Sequence, residues 1–286
     1  MTATTEQLVR TAASRGVATL TLDSPHNRNA LSGALLTQLL AALAAVTGDD
    51  TVRVIVLTHT GPVFCAGADL KETAAAVASG QLPAARLGDV LAALVECPKP
   101  VVARVAGPAR AGGIGLVAAA DIAVCAYDAT FGFSEVRLGV IPAVISATVL
   151  PRLTPRAAAE LFLTGETFDG ARAAQVGLVT AAVPAQELDA EVERYCAALV
   201  RGAPGALAGA KQLLRRRPPG ELRAGELPPG DRPAGGLRAE LAALTELSTG
   251  YFRSDEGREG IAAFWAKRDP AWVPRDEPDP AAASGP

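Results

Sequence analysis

The sequence predicts an α/β fold followed by a helical C-terminal region, and three observations support this. Four runs rich in β-branched residues are typical of strands: Val17–Leu22, Val52–Thr58, Val101–Val105 and Ile122–Ala126. Segments with the apolar spacing of helices separate these runs, and from Pro155 onward the helical pattern predominates. The 286 residues are 49% hydrophobic and 20% charged, which is enough apolar material for one large core or two modest ones.

The helical segments and their ends divide the chain. The segment Leu31–Val46 has Ser32 as a candidate N-cap, and Ala84–Cys97 ends before a proline. Later helical patterns cover 155–163, 185–200, 237–247 and 255–268. Residues 218–236 contain five Pro and five Gly in nineteen positions, which predicts a mobile surface loop. We therefore expect a core at 1–200, a helical region at 201–273 and a poorly ordered tail at 274–286.

Composition excludes several classes of function. The net charge of −3 gives no general attraction for nucleic acid, and no apolar run reaches the ~20 residues of a membrane span. The first ten residues lack the pattern of an export signal. Four isolated cysteines indicate neither a metal site nor a disulfide framework, so we expect a reducing cytoplasm and a buried, structural Cys65. With only His26 and His59, zinc-protease chemistry is excluded, and the serine-hydrolase and P-loop motifs are missing.

The glycine-rich stretch Gly107–Asp121, "GPARAGGIGLVAAAD", permits two interpretations. Its Gly113-x-Gly115-x-x-Ala118 spacing fits a dinucleotide fingerprint, with Glu135 twenty residues beyond Gly115. That helix has room for only eight residues, however, and Glu135 lies past the next strand, so a nicotinamide or flavin site is disfavoured. The alternative is an oxyanion site, where backbone N–H groups stabilise an oxygen that becomes negative.

Six motifs in order resemble one family, the enoyl-CoA hydratase/isomerase (crotonase) superfamily, from about Val17 to Val273. They are "PHNRNALS", "GPVFCAGADLKE", "VAGPARAGGIGLVAAADIAV", "ATFGFSEVRLGVIPAVISATVLPRL", "LTGETFDGARAAQVGLV" and "SDEGREGIAAFWAKR". The resemblance implies a spiral of ββα units with a helical C-terminal part that mediates trimers, often paired into hexamers. It also implies acyl-CoA thioester substrates, with coenzyme A as part of the substrate and no separate cofactor.

The same resemblance assigns the oxyanion donors to the N–H groups of Ala68 and Gly112. Hydratases of this family hold the attacking water between two glutamates, and this chain keeps only the second, Glu135. Gly115 stands in place of the first. Apolar sequence neighbours of Glu135 favour a raised pKa suited to proton transfer. The alternative is that Glu135 has no catalytic role and forms a surface ion pair with Arg137.

A single glutamate suits more than one reaction. We expect hydration of a 2-enoyl-CoA, with 3-enoyl to 2-enoyl-CoA isomerisation as the alternative and a non-catalytic acyl-CoA-binding relative as a third reading. Ala143 stands where some relatives carry an aspartate, which disfavours dehalogenase and dienoyl-isomerase chemistry.

Substrate-binding residues follow from the same resemblance. The expected set that meets coenzyme A and the acyl group is Arg28, Ala66, Gly67, Asp69, Leu70, Lys71, Arg110, Phe264 and Lys267. Phe264 and Lys267 resemble residues that a neighbouring subunit adds to the nucleotide pocket. An arginine at position 110, beside the acyl pocket, would meet a substrate carboxylate, and a solvent-facing arginine is its alternative. For Arg28, Lys71, Phe264 and Lys267, the alternatives are ordinary surface charge and a core aromatic.

Overall fold

The computed structural model describes residues 6–69, 71–73, 84–216 and 236–274. Leu70 lies outside the described residues. So do residues 218–235 of the predicted loop and residues 275–286 of the predicted tail.

A six-stranded sheet forms the centre of the core. Its strands, in spatial order, are β1 (Val9–Ser14), β2 (Val17–Leu22), β3 (Val54–His59), β4 (Val101–Val105), β6 (Ile122–Ala126) and β9 (Ala181–Val183). β1 pairs antiparallel with β2, and every later pair is parallel. All six residues of β3 are buried, as expected for a parallel strand covered on both faces.

A second, three-stranded sheet lies beside the first. It contains β5 (Ala109–Arg110), β7 (Thr130–Gly132) and β8 (Thr167–Asp169) in that order. β5 is parallel to β7, and β7 is antiparallel to β8. The short β5 strand belongs to the glycine-rich stretch, so this sheet fixes the path of the stretch before its helix begins.

Helices pack on the strands and on one another. In chain order they are α1 (Gly33–Gly48), α2 (Ala84–Glu96), α3 (Gly112–Ala119), α4 (Ala143–Val149), α5 (Pro155–Thr164), α6 (Gly170–Gln175), α7 (Leu188–Val200), α8 (Pro204–Arg216), α9 (Gly236–Arg253) and α10 (Asp255–Ala266). α1 packs on β1, β2 and α2, and α3 packs on α2 and α4. α7 contacts β3, β4 and β6. None of the helices in the described ranges is long and apolar enough to cross a membrane.

The predicted elements agree with the structure except at a few ends. β2, β4 and β6 have the predicted bounds, but β3 begins at Val54 because the Val52 N–H bonds to Asp49 O in a turn. Leu31 is paired with Ala68 in a parallel bridge, so α1 starts two residues later than predicted. The Ser32 side chain accepts a hydrogen bond from Leu35 N, which confirms the predicted cap.

Candidate active site

Two loops meet at the carboxyl ends of the neighbouring parallel strands β3 and β4. Cys65 N donates to Pro108 O at 3.2 Å, and Arg110 N donates to Cys65 O at 2.9 Å. These bonds join the segment 64–69 to the segment 106–112 through backbone atoms alone. Ligand sites of open α/β sheets lie at this edge of the strands.

The two loops also contact each other at Gly67 and Ala111, the residues directly before the two proposed oxyanion donors. Gly67 has a φ of +91°, and a Cβ built on it would lie 3.1 Å from the Cβ of Ala111. Ala111 itself has a φ of +48°, which is strained for a residue with a side chain. The proposed donors Ala68 and Gly112 follow this contacting pair, so the structure brings them together.

The amides of Ala68 and Gly112 have no acceptor among the residues that the structure describes. Gly112 is the first residue of α3, where no intrahelical acceptor exists. Within the described residues, neither its N–H nor that of Ala68 donates to any atom of the chain. The two groups can therefore bind an oxygen from outside the chain, and the helix N-terminus favours negative charge there.

Buried Asn29 supports the first loop, and sequence reasoning missed it. Its Nδ2 donates to Thr60 O at 3.0 Å and to Val63 O at 2.9 Å. The preceding residue, Arg28, accepts a 3.0 Å hydrogen bond from Ala66 N through its carbonyl oxygen. An asparagine in an otherwise polar turn gives little warning of such a role, because its partners lie more than thirty residues away.

Glu135 provides an acidic group without a protein partner. It lies in a short 3₁₀ helix, Ser134–Leu138, and is half-buried. In the described part of the chain, its Oε2 atom is buried and has no hydrogen-bond partner. Burial raises the pKa of the Glu135 carboxyl. The ion pair with Arg137 does not form, since that guanidinium donates to Thr164 O instead.

Aromatic rings pack on the segment that precedes Glu135. Phe133 is fully buried and packs on Phe162 at 4.5 Å and on Phe168 at 6.2 Å between ring centroids. Leu138, which the sequence places near the carboxyl, is instead 62% exposed.

Gly115 faces an isoleucine of α4. A Cβ built on Gly115 would lie 2.6 Å from Ile145 Cγ2 and 3.5 Å from Leu91 Cδ1. Ile145 is 2% exposed, and Thr148 Oγ1 donates to Gly115 O at 3.2 Å. The space that the first glutamate of a hydratase pair would enter is thus filled by a branched apolar side chain. Ala143 begins the same helix.

Arg110 lies on β5 and is half-buried. Its Nη1 donates to Ala109 O at 2.9 Å and to Thr130 O at 2.6 Å, and its Nη2 donates to Thr130 Oγ1 at 2.9 Å. Burial lowers the pKa of this guanidinium. Arg110 is therefore not a solvent-facing arginine, because its guanidinium is hydrogen-bonded to Thr130.

The residues after Ala68 begin a helical turn. Asp69 Oδ1 accepts hydrogen bonds from Lys71 N at 3.0 Å and from Glu72 N at 3.1 Å, as an N-cap does. The Glu72 carboxylate in turn accepts from Gly33 N and so ties this turn to the start of α1. Arg28 and Lys71 are both exposed, which leaves their charges open to a solvent-side ligand.

Phe264 and Lys267 lie at the end of α10, away from these groups. The ring of Phe264 is 76% exposed and contacts Trp265 edge-on, with 5.8 Å between centroids. Lys267 ends the helix in a left-handed conformation. No hydrogen bond or ring contact among the described residues joins either side chain to Ala68, Gly112 or Glu135.

The four cysteines are all buried free thiols. Burial raises the pKa of Cys65 to about 12, so its sulfur stays protonated. That sulfur accepts a 3.4 Å hydrogen bond from Gly67 N. Cys65 thus serves the shape of the loop, as expected from the sequence.

Comparison with known proteins identifies the family. Residues 12–226 match the family model described as enoyl-CoA hydratase/isomerase. The chain belongs to the enoyl-CoA hydratase/isomerase family. The fold class predicted from the resemblance is confirmed, because solved structures of this family share the architecture.

Individual family members are similar over nearly their whole length. The 2,3-dehydroadipyl-CoA hydratase of Escherichia coli is 33% identical over 252 residues, which cover 88% of this chain and 92% of that protein. AtuE of Pseudomonas aeruginosa superposes with a TM-score of 0.81 at 35% identity, covering 93% and 100% of the two chains. An enoyl-CoA hydratase from Mycobacterium avium is 42% identical with a TM-score of 0.67, covering 93% and 99%.

Proposed function

We propose that the protein is an enoyl-CoA hydratase that adds water to a 2-enoyl-CoA thioester, or removes it, with one glutamate. The observation that carries the proposal is the buried carboxylate oxygen of Glu135, which has no hydrogen-bond partner among the described residues. The amides of Ala68 and Gly112, which donate to no atom of the described residues, support it. Several family members with this architecture carry the name hydratase. Besides water, the acyl-CoA is the only small molecule that the mechanism needs, and we propose the cytoplasm as the enzyme's place of action.

In this mechanism the chain supplies two functions. The amides of Ala68 and Gly112 donate to the thioester oxygen, which gains negative charge as water adds at the β-carbon. The ionised Glu135 takes one proton from the attacking water and then gives it to the α-carbon. Hydroxide is thus added to one carbon and a proton to the next, and Glu135 returns to its starting state.

Coenzyme A binding draws on charged residues at the mouth of the site. Arg28 and Lys71 are exposed beside the first loop, where their charges suit phosphate groups. Ala66, Gly67 and Asp69 shape that loop through backbone bonds and the cap described above. We propose that Phe264 and Lys267 serve the site of a neighbouring subunit, since their exposure on α10 leaves them without a role in their own.

One observation favours a second candidate, the 3-enoyl to 2-enoyl-CoA isomerase. Ile145 fills the space next to Gly115, so a second carboxylate that fixes the attacking water is missing there. Isomerisation needs only one base that carries a proton between two carbons, and Glu135 suffices for that.

The deciding experiment incubates the protein separately with crotonyl-CoA, a 3-enoyl-CoA and a carboxylated branched 2-enoyl-CoA. Hydration is identified by the added mass of water and by loss of the absorbance of the conjugated 2-enoyl thioester. Isomerisation of the 3-enoyl-CoA leaves the mass unchanged and is identified by a gain of that absorbance. Hydration of a 2-enoyl-CoA supports the hydratase, and conversion of the 3-enoyl-CoA alone supports the isomerase. Tight binding of all three without product would establish an acyl-CoA-binding protein and overturn the proposal.

A further inference from the structure

His59 is a buried histidine at the end of β3, and its ring nitrogens have distinct partners. Nε2 lies 3.2 Å from Ala106 N, and Nδ1 lies 3.4 Å from Thr60 O. A backbone N–H can only donate, so Nε2 must be the acceptor and carries no proton. The ring is therefore neutral with its proton on Nδ1.

The ring touches the bases of both loops of the site. Ala106 is the first residue after β4 and opens the segment that leads to Gly112. On the other side, the ring packs edge-on against Phe64, with 5.4 Å between centroids. Phe64 immediately precedes Cys65, whose backbone bonds join the two loops. One imidazole thus bridges the two segments that carry the free amides of Ala68 and Gly112.

The charges around His59 disfavour its protonation. The ring shares a groove of about 1200 Å³ with residues of β4 and α7. The charged residues that line this groove with His59 are Arg15 between β1 and β2, Arg104 on β4, Asp189, Glu193 and Arg194 on α7, and Arg201 directly after α7. Arg104 is paired with Asp189. Burial and, to a smaller extent, the positive charge of Arg104 lower the pKa of His59.

We propose that neutral His59 is a positioning residue that holds the two loops together so that the Ala68 and Gly112 amides point at one oxygen. This inference rests on the proposed function of those amides. Protonation puts a hydrogen on Nε2, which then faces the Ala106 N–H as a second donor. The hydrogen bond is lost, and the segment 106–112 loses its link to β3.

The first test observes the ring directly. The chain has only two histidines, and His26 is exposed, so a His26→Gln variant assigns both imidazoles in a protein labelled with ¹⁵N-histidine. We expect His59 to show the Nδ1–H tautomer and to titrate below the ordinary range of a histidine. Backbone amide shifts of Ala68 and Gly112 should move with the same midpoint. An Nε2–H tautomer would overturn the proposal, and so would amide shifts of Ala68 and Gly112 that do not change as His59 titrates.

The second test uses matched variants. His59→Gln places an amide oxygen near the former Nε2 and so keeps an acceptor for the Ala106 N–H. His59→Phe keeps an aromatic ring but removes that acceptor. We expect His59→Phe to lower kcat by about 10²-fold with little change in KM, as loop misplacement does. His59→Gln should stay within a few-fold of wild type. If both variants have the same kcat, or if kcat falls in each only in proportion to its Tm, His59 is a core residue without a positioning role.

Failure of this inference is distinguishable from failure of the proposed function. If the wild type turns over no enoyl-CoA, the hydratase proposal fails, while the tautomer and the amide shifts still report on the loops. If the wild type is active and the shifts of Ala68 and Gly112 do not respond to His59, only the positioning role fails. Should His59→Phe not fold, the wild-type titration alone decides.

Discussion

Glu135 has a buried carboxylate oxygen without a hydrogen-bond partner among the described residues, and its ionisation has two consequences that separate in experiment. The carboxylate must be ionised to take a proton from water, so its raised pKa sets the acid side of the activity profile. We expect kcat/KM to rise with pH through a midpoint above the ordinary range of a glutamate. Glu135→Gln should abolish turnover at every pH while acyl-CoA binding stays nearly unchanged. A variant that keeps most of its kcat would remove Glu135 from the mechanism.

The same raised pKa predicts how stability depends on pH. The folded protein binds the Glu135 proton more tightly than the unfolded chain does, so the stabilisation is complete at low pH and is lost as pH rises through the folded pKa. Glutamine carries no charge to bury. We therefore expect the Tm of Glu135→Gln minus that of wild type to increase from pH 4 to pH 8, measured by calorimetry. A difference that is constant with pH would show that the carboxyl is not buried in solution.

Gly115 and Ile145 form a coupled pair that a single substitution cannot change cleanly. Gly115→Glu should lower stability by about 1–3 kcal/mol, because its Cβ would meet Ile145 Cγ2 at 2.6 Å. Adding Ile145→Ala makes room, and we expect the double variant to gain hydration of crotonyl-CoA relative to isomerisation. Ile145→Ala alone is the control. If the double variant hydrates no better than that control, a second carboxylate at this position does not hold water.

The Gly112 amide is tested with a pair of variants that share their steric cost. A side chain at Gly112 would meet Leu31 Cδ1 at 2.6 Å in both Gly112→Ala and Gly112→Pro, but only proline lacks the N–H. Proline is otherwise tolerated at the first residue of a helix. We expect Gly112→Pro to have a kcat about 10²-fold below that of Gly112→Ala, at similar substrate affinity. Equal kcat values would mean that the amide only shapes a turn.

At the scale of the elements, the sequence predicted the strands that are long and buried and missed those that are exposed or very short. β2, β4 and β6 are continuous apolar or alternating runs within the sheet, and their bounds were predicted correctly. β1 was missed because only Val9 is buried in it and the other five residues are exposed, so it has no apolar pattern. β5 and β7 to β9 have two or three residues each, too few for a period to show.

Contacts between elements were equally invisible in the sequence. The family motifs placed Ala68, Gly112 and Glu135, but the fit of Ile145 against Gly115 joins residues thirty positions apart. The bond from Ala106 to His59 spans 47 positions. Such pairings depend on how strands are ordered in the sheet, and no local pattern encodes them.

Helix α8 is fastened to the core through a buried lysine, which predicts unequal roles for two of its cations. Lys211 is 7% exposed as a side chain, pairs with Asp121 at 2.6 Å and donates to Lys99 O at 3.1 Å. Lys211→Met leaves Asp121 without its counter-charge, and we expect a loss of about 3 kcal/mol in unfolding free energy. The control Arg215→Met removes an exposed cation one turn along the same helix that donates one 3.2 Å hydrogen bond to Cys97 O, and it should lose much less. Equal losses in denaturant titrations would contradict the anchoring role.

At the scale of the whole molecule, the C-terminal helices carry apolar rings that the described residues leave exposed. Phe252, Phe264 and Trp265 are 65%, 76% and 77% exposed. We propose that these helices carry the trimer contact, and expect light scattering to give a trimer or a hexamer. Trp265→Asp should shift it toward monomer, while Leu163→Asp, an equally exposed site on α5, should not. A monomeric wild type would leave Phe264 and Lys267 without a partner's site to complete.

The proposed oxygen-binding groups at Ala68 and Gly112 are main-chain amides, and this affects how the gene tolerates change. Apart from proline, no codon removes a backbone N–H, so substitutions at these positions act only through shape. The acid–base group is a side chain and is replaced in one step. Libraries that vary residues 115, 135 and 145 while leaving both loops intact are thus the economical route to new reactions on this scaffold, with enolate stabilisation inherited by every member.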